Sequence, residues 1–228
     1  MKMKFGAIVT DGRGKIGGHV ASKNRSGAYL RTKVTPVNGQ TSAQTQIRNR
    51  FTVLAQGWRG LTEEQRAAWN AAVSDFMRTN IFGDSVKPTG STLYQRLNNN
   101  LVTIGEATIL VPPLPAAVGE VTAVSIAIAA GAGTMSLIMS GAVPANTKVK
   151  VWACGPVSSG KSFVKSEYRL ISILESLAAT PVNLKAAYEA KFGSVGLEAQ
   201  KVFVKLVAVN STTGQEGTPS QVSGIVAA

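Results

Sequence analysis

Past Pro115 the apolar residues of this chain stop recurring at helical spacing and begin to alternate, which divides it into a helical part and a stranded part. On the helical side, Thr41 or Ser42 is a suitable N-cap, and Ile47, Phe51, Leu54 and Trp58 follow on one helical face that Gly60 ends. Thr62 with Gln65 has the form of a capping box, and Glu63 and Glu64 favour the positive end of a second helix. That helix carries Trp69, Ala72, Val73, Phe76 and Met77 on one face. A loop with Gly83 and Pro88 leads to a third helix, capped at Ser91, with Leu93, Leu97, Leu101 and Ile104 in line and Gly105 as its stop. The three helices are expected to share a small core built on Trp58, Trp69 and Phe51. Asn98-Asn99-Asn100 is unusual inside a helix and marks either a polar contact or an early end.

On the stranded side, alternation predicts strands at 121–128, 134–140, 148–154, 163–174, 200–209 and 219–226. Turn signals separate them at Gly131-Ala132-Gly133, Pro144-Ala145-Asn146 and Ser211 to Gly217, and a short helix over 182–192 interrupts the series. Val202, Val204, Leu206 and Ala208 form one strand face, and Trp152 is expected in the core. Short strands at this density fit an immunoglobulin or fibronectin type III-like β-sandwich, although no cysteine pair marks an antibody-type domain. The expected fold is therefore α+β in several parts. Residues 1–39 form an extended Gly-rich basic arm, 40–106 a three-helix region, 107–119 a Pro-rich linker, and 120–228 the sandwich.

Charge follows the same division. Residues 1–100 carry fifteen Lys/Arg against five acids, and residues 101–228 nine against seven, so nearly all of the formal +12 is N-terminal. Glycines interrupt residues 1–39 too often for a core of their own. Short strands around Ile16, His19–Val20 and Ala28–Leu30, with a hairpin turning at Asn24-Arg25-Ser26-Gly27, are expected to find a pairing partner on this chain or a neighbour. The candidate docking residues are Arg13, Lys15, Lys23, Arg25, Arg31, Lys33, Arg48 and Arg50. A basic arm on a nearly neutral apolar body points to something large and negative as its partner.

The means for chemistry are sparse. One cysteine (Cys154) and one histidine (His19) exclude an internal disulfide and a Cys- or His-cluster metal site, and the last Asp is Asp84. Gly155 to Ser162 satisfies G-x-x-x-x-G-K-[ST] after an apolar strand. The residues that follow read as a strand where a phosphate-binding loop needs a helix, and no later Asp is present to hold a metal, so the run reads as a Ser/Gly hairpin loop. No cofactor is expected. Phe5 to Val9 is too short for a signal core, and the low-polarity stretch 123–133 is broken by Ser125 and Gly131, so no membrane partner is expected.

The run from Gly17 to Arg31 (Gly-Gly-His-Val-Ala-Ser-Lys-Asn-Arg-Ser-Gly-Ala-Tyr-Leu-Arg), followed by Pro36, Thr41, Gln44, Arg48 and Phe51, carries a family resemblance. So does Trp58-Arg59-Gly60-Leu61-Thr62 with Gln65-Arg66-Ala67-Ala68-Trp69. Over residues 12–105 the chain resembles small proteins encoded in tailed phages and prophages of Bacteroides-type hosts, including the crAss-like phages. The resemblance implies a non-enzymatic virion structural role, foremost an auxiliary or decoration component of the capsid, with a tail or neck component as the nearby alternative. It implies other virion proteins as partners, the major capsid protein first, in a multi-copy assembly formed in the host cytoplasm. The basic arm leaves contact with packaged DNA, or a nucleic-acid-binding protein outright, as further readings.

Overall fold

The computed structural model describes residues 2–4, 6, 11–35, 37–130 and 134–227. The apolar segment Phe5 to Val9, Pro36 and the turn at Gly131-Ala132-Gly133 fall wholly or largely outside the described residues. Among the described residues the chain is mixed α+β, with four α-helices, a large curled sheet and two smaller sheets.

The N-terminal residues, expected as an extended arm, pair among themselves. β1 (Lys2–Met3), β2 (Gly14–Ile16), β3 (His19–Asn24) and β4 (Gly27–Thr32) form an antiparallel sheet in the order β1-β4-β3-β2. The hairpin anticipated at Asn24 to Gly27 is present, with Asn24 opposite Gly27 and only Arg25 and Ser26 between them. Gly27 has φ +106°, a conformation that costs glycine little and other residues much. Of these strands only Ala21 and Ala28 are buried.

The three helices start from local caps. Helix α1 (Ser42–Gly60) and α2 (Glu63–Ala72) each open on a reciprocal box, Thr41 with Gln44 and Thr62 with Gln65. Helix α3 (Gly90–Thr103) is capped by Thr89 rather than Ser91, two residues earlier than expected. Its first residue has to be small: a Cβ on Gly90 would meet the Asn70 side-chain oxygen at 2.5 Å. A 3-10 turn (Val73–Phe76) extends α2, and β5 (Arg78–Thr79) pairs with β6 (Ser85–Val86) within the predicted loop.

The helical core is Leu61, Trp69, Val73, Phe76, Leu93, Tyr94 and Leu97, with Trp58 packed against it. Trp69 meets the Tyr94 ring edge-on at 5.4 Å between centroids. Two expected members are missing. Phe51 is 49% exposed, and Met77 is exposed as well. Helix α1 has nineteen residues and α3 fourteen, about 28 Å against 21 Å. Trp58 reaches Tyr94 near one end of α3, and Arg50 donates to the Thr103 hydroxyl at the other. Residues before Arg50 therefore overhang α3, which leaves Ile47 in solvent, whereas Phe51 lies within the overlap with its side chain turned to solvent.

The asparagine triplet is a polar contact inside a continuous helix. Asn98 is fully buried; its amide donates to the Tyr94 and Ile109 carbonyls at 3.1 and 3.2 Å, and its oxygen accepts the Ile109 N–H at 2.7 Å. Removing it orphans buried backbone groups. Asn98→Ala is expected to cost about 2–3 kcal/mol, read as a shift in the urea midpoint, with a loss below about 0.5 kcal/mol refuting this account.

The large sheet contains β7 (Ala123–Ala129), β8 (Thr134–Met139), β9 (Thr147–Ala153), β10 (Arg169–Leu174), β11 (Val182–Asn183), β12 (Lys201–Asn210) and β13 (Ser220–Ala227), in the order β10-β9-β12-β13-β7-β8-β11. The pairings are antiparallel except β13 with β7. The strand expected over 163–174 begins only at Arg169, and the short helix is α4 (Lys185–Phe192), preceded by β11. The sheet curls so that Ile126, Ile128, Met135 and Leu137 share one core with Val149, Val151, Val204 and Leu206. Leu184 and Tyr188 of the α4 segment join that core, and the Tyr188 hydroxyl donates to the Cys154 carbonyl at 2.9 Å. Cys154 is buried beside Val164 and Phe203, and that burial raises its thiol pKa.

The opposite face of β9 and β12 meets α3. Leu101 and Ile104 pack on Val209, and the Asn100 amide donates to the Gly214 carbonyl at 2.8 Å. Strand alternation puts Lys148, Lys150 and Trp152 on this side, so Trp152 is half-buried facing the helices and is not a member of the sheet core. The Pro-rich segment between the two parts is held at both ends. The Trp69 indole donates to the Leu110 carbonyl at 2.9 Å, and Gln215 bonds both the Leu114 carbonyl and the Ala116 N–H.

Candidate docking surface

Cross-strand register sorts the N-terminal cations. Directly opposed residues share a face of an antiparallel sheet, and Lys15, Val20 and Arg31 lie in one row across β2, β3 and β4. Lys2, opposite Tyr29, belongs to the same face. The other face carries the buried Ala21 and Ala28, together with Lys23. This sheet thus has a basic side, with Lys15 and Arg31 exposed, and a side that buries two small residues.

The other expected docking residues are dispersed. Arg13 is exposed just before β2, and Lys33 just after β4. Lys23 lies 3.7 Å from Asp11, and Arg25 is exposed in the β3–β4 turn. Arg48 and Arg50 are on α1, apart from the sheet. Arg48 donates to the Asn38 side chain at 2.9 Å, and Arg50 pins α1 to α3 through Thr103 at 2.8 Å. The structure therefore brings Lys15 and Arg31 together and gives Arg50 an internal tie. Lys4 is bound to Asp84 at 2.9 Å beside Phe82, and that ammonium lowers the Asp84 pKa.

The Gly155 to Ser162 run connects β9 to β10. The Lys161 ammonium is held by both Glu167 oxygens, at 3.0 and 3.1 Å, and the chain continues without a helix to Arg169. Phosphate binding in such a motif relies on a helix N-terminus that this connection lacks. Among the described residues no three His, Cys, Asp or Glu side chains gather as a metal site, and no helix is long and apolar enough to cross a membrane.

A second basic surface escaped the sequence reading. Between α3 and the outer face of β9 and β12 lies a recess of about 440 Å³ that receives Arg78, Arg96, Lys150, Lys205, Trp152 and Glu216. Lys150 is only 5% exposed; it is ion-paired to Glu216 and donates to the Asn100 oxygen at 3.3 Å. Arg96 lies over the Phe76 ring at 5.8 Å, and its pKa is lowered first by burial and then by the charge of Arg78. Nearby, Lys148 bridges Glu106 and Glu175 at 2.8 Å each, and these carboxylates raise its pKa. The only local signal for this surface was the alternation Lys148-Val149-Lys150-Val151-Trp152, which places cations opposite a core face.

No protein-family model matches the chain. No curated protein matches it either.

Proposed function

We propose that this protein is a non-enzymatic structural component of a bacteriophage virion, an auxiliary or decoration protein of the capsid that docks through its basic N-terminal strands. The observation that carries the reading is the character of β1 to β4: two buried alanines, and a face bearing Lys2, Lys15 and Arg31. Ordering a backbone costs about 1–2 kcal/mol per residue, and burial of two methyl groups offsets little of that. Such strands gain most from lying against a partner that supplies negative charge and further apolar contact. The major capsid protein, repeated over a shell, supplies both and adds avidity. On this reading the large sheet is a fibronectin type III-like sandwich. One leaf is β7, β8 and β11, the other is β10, β9, β12 and β13, and the parallel β13–β7 pairing joins them. The sandwich serves as a spacer or adhesion module.

Purified particles are expected to contain this chain in stoichiometric amounts by mass spectrometry, and to lose it when residues 1–39 are deleted. Particles devoid of it overturn the proposal, while recovery with tails or necks transfers it to those parts. The basic face also favours a second reading, contact with packaged DNA. It predicts DNA binding that falls steeply with salt and vanishes on the same deletion; binding unchanged by the deletion removes it.

A further inference from the structure

The recess between α3 and the sheet is one half of a longer groove. A second recess of about 260 Å³ adjoins it, lined by Arg25 of the N-terminal hairpin turn and by Lys87, Pro88 and Leu93. Arg78 and Arg96 line both recesses. The two together present six cations, Arg25, Arg78, Lys87, Arg96, Lys150 and Lys205, drawn from all three parts of the chain. Their only carboxylate is Glu216, already ion-paired to Lys150. Among the described residues Arg25, Arg78, Lys87, Arg96 and Lys205 make no ion pair; Arg96 lies over the Phe76 ring, with Glu216 acting on it only through its charge, and Lys205 lies over the Tyr168 ring.

We propose that this groove binds an acidic peptide segment of a partner protein, with carboxylates seated on Arg78 and Arg96 and apolar side chains between them. Concentrating like charges in a partly desolvated cleft is unfavourable until an anion enters, and a planar guanidinium takes a carboxylate through two parallel hydrogen bonds. The apolar lining suits peptide side chains: Phe76, Leu97 and Val207 in one recess, Val86, Pro88 and Leu93 in the other. A single-stranded nucleic acid would need a series of open ring faces on which to stack. Here the Phe76 ring is covered by Arg96, which leaves Trp152 as the remaining aromatic of the lining. The site is distinct from the outward basic face of β2 to β4, and it does not rest on the virion reading.

The test uses the full chain and fluorescence anisotropy. The probe is a labelled peptide alternating glutamate with phenylalanine; competitors are its glutamine counterpart, an oligothymidylate and inorganic phosphate. Saturable binding of the glutamate peptide is expected, about tenfold or more tighter than the glutamine one, because each charge-assisted contact is lost in the latter. Arg78→Gln with Arg96→Gln is expected to weaken it by a similar factor, whereas Arg13→Gln with Lys15→Gln leaves it unchanged. Should the arginine variant fail to fold, Lys87→Gln with Lys205→Gln reads the same groove with both arginines in place and is expected to weaken binding several-fold. Equal binding of the two peptides, stronger binding of the oligothymidylate, displacement by phosphate alone, or indifference to the groove variants would each overturn the assignment.

Discussion

Trp69→Ala is expected to lower the folding free energy by about 4 kcal/mol, the largest loss of any single truncation considered for this chain. The indole is fully buried, packs edge-on against Tyr94, and donates to the Leu110 carbonyl. Truncation removes its apolar contacts, opens a cavity between α2 and α3, and leaves that carbonyl without its partner. Urea unfolding followed by circular dichroism measures the loss, and a value under about 1 kcal/mol would contradict the packing described. Phe51→Ala supplies the contrast. The same sequence logic marks Phe51 as core, yet its side chain on α1 faces solvent, so its truncation is expected to cost less than about 1 kcal/mol. Comparable losses for the two aromatics would mean that Phe51 is not turned to solvent as it is here.

Gly214→Ala is the second substitution with a large expected effect, about 3 kcal/mol. Gly214 has φ +69°, a conformation costing a residue with a Cβ about 1–2 kcal/mol. The added Cβ would also lie 2.3 Å from the Leu97 carbonyl oxygen and 3.0 Å from the Leu101 side chain. The obstacle is helix backbone, so no rotamer change relieves it. Either α3 or the β12–β13 connection has to move, and the Asn100 bond to Gly214 is lost with it. Gly217→Ala is the matched control, because its Cβ would meet Val118 at an ordinary 3.5 Å; it is expected to stay within about 0.5 kcal/mol of the parent. A thermal melt of the two variants separates them, and equal melting points would show that α3 does not press on this connection.

These residues also mark what the sequence carried and what it did not. Caps and spacing are local, and they gave the starts of α1 and α2, because Thr41 with Gln44 and Thr62 with Gln65 decide where each helix begins, whereas α2 stops at Ala72, short of the Met77 its apolar face was expected to reach. Alternation gave β8, β9 and β12 within a residue or so for the same reason. It cannot say which neighbour a face meets. Both faces of β9 find cover, one from the sheet core and one from α3, and that second neighbour is why Trp152 left the expected core. Phe51 went astray because α3 meets the side of α1 that carries Arg50, Leu54 and Trp58, a choice that appears only when the two helices are laid side by side. Thr89 displaced Ser91 as a cap because its hydroxyl accepts the Thr92 N–H, and Gly90 after it lies close against Asn70 of α2. The groove was invisible for a comparable reason. Arg25, Arg78, Arg96, Lys150 and Lys205 come from five separate stretches of chain, and no spacing rule links them. The N-terminal hairpin was legible at Asn24 to Gly27, since a two-residue turn writes itself locally, whereas the sorting of Lys15 and Arg31 onto one side needed the register.

The prolines before the large sheet look like a natural place to cut the molecule in two. The bonds across that stretch argue otherwise. A cut before Ile109 separates Trp69 and Asn98 from the backbone they bond, and one after Ala116 separates Gln215 from Leu114 and Ala116, while a cut between them at Pro112-Pro113 still parts Asn100 from Gly214 and Lys150. Each half would keep donors or acceptors whose mates left with the other. The segment is a strap, and anyone trimming this protein for separate use of its halves should expect both to suffer.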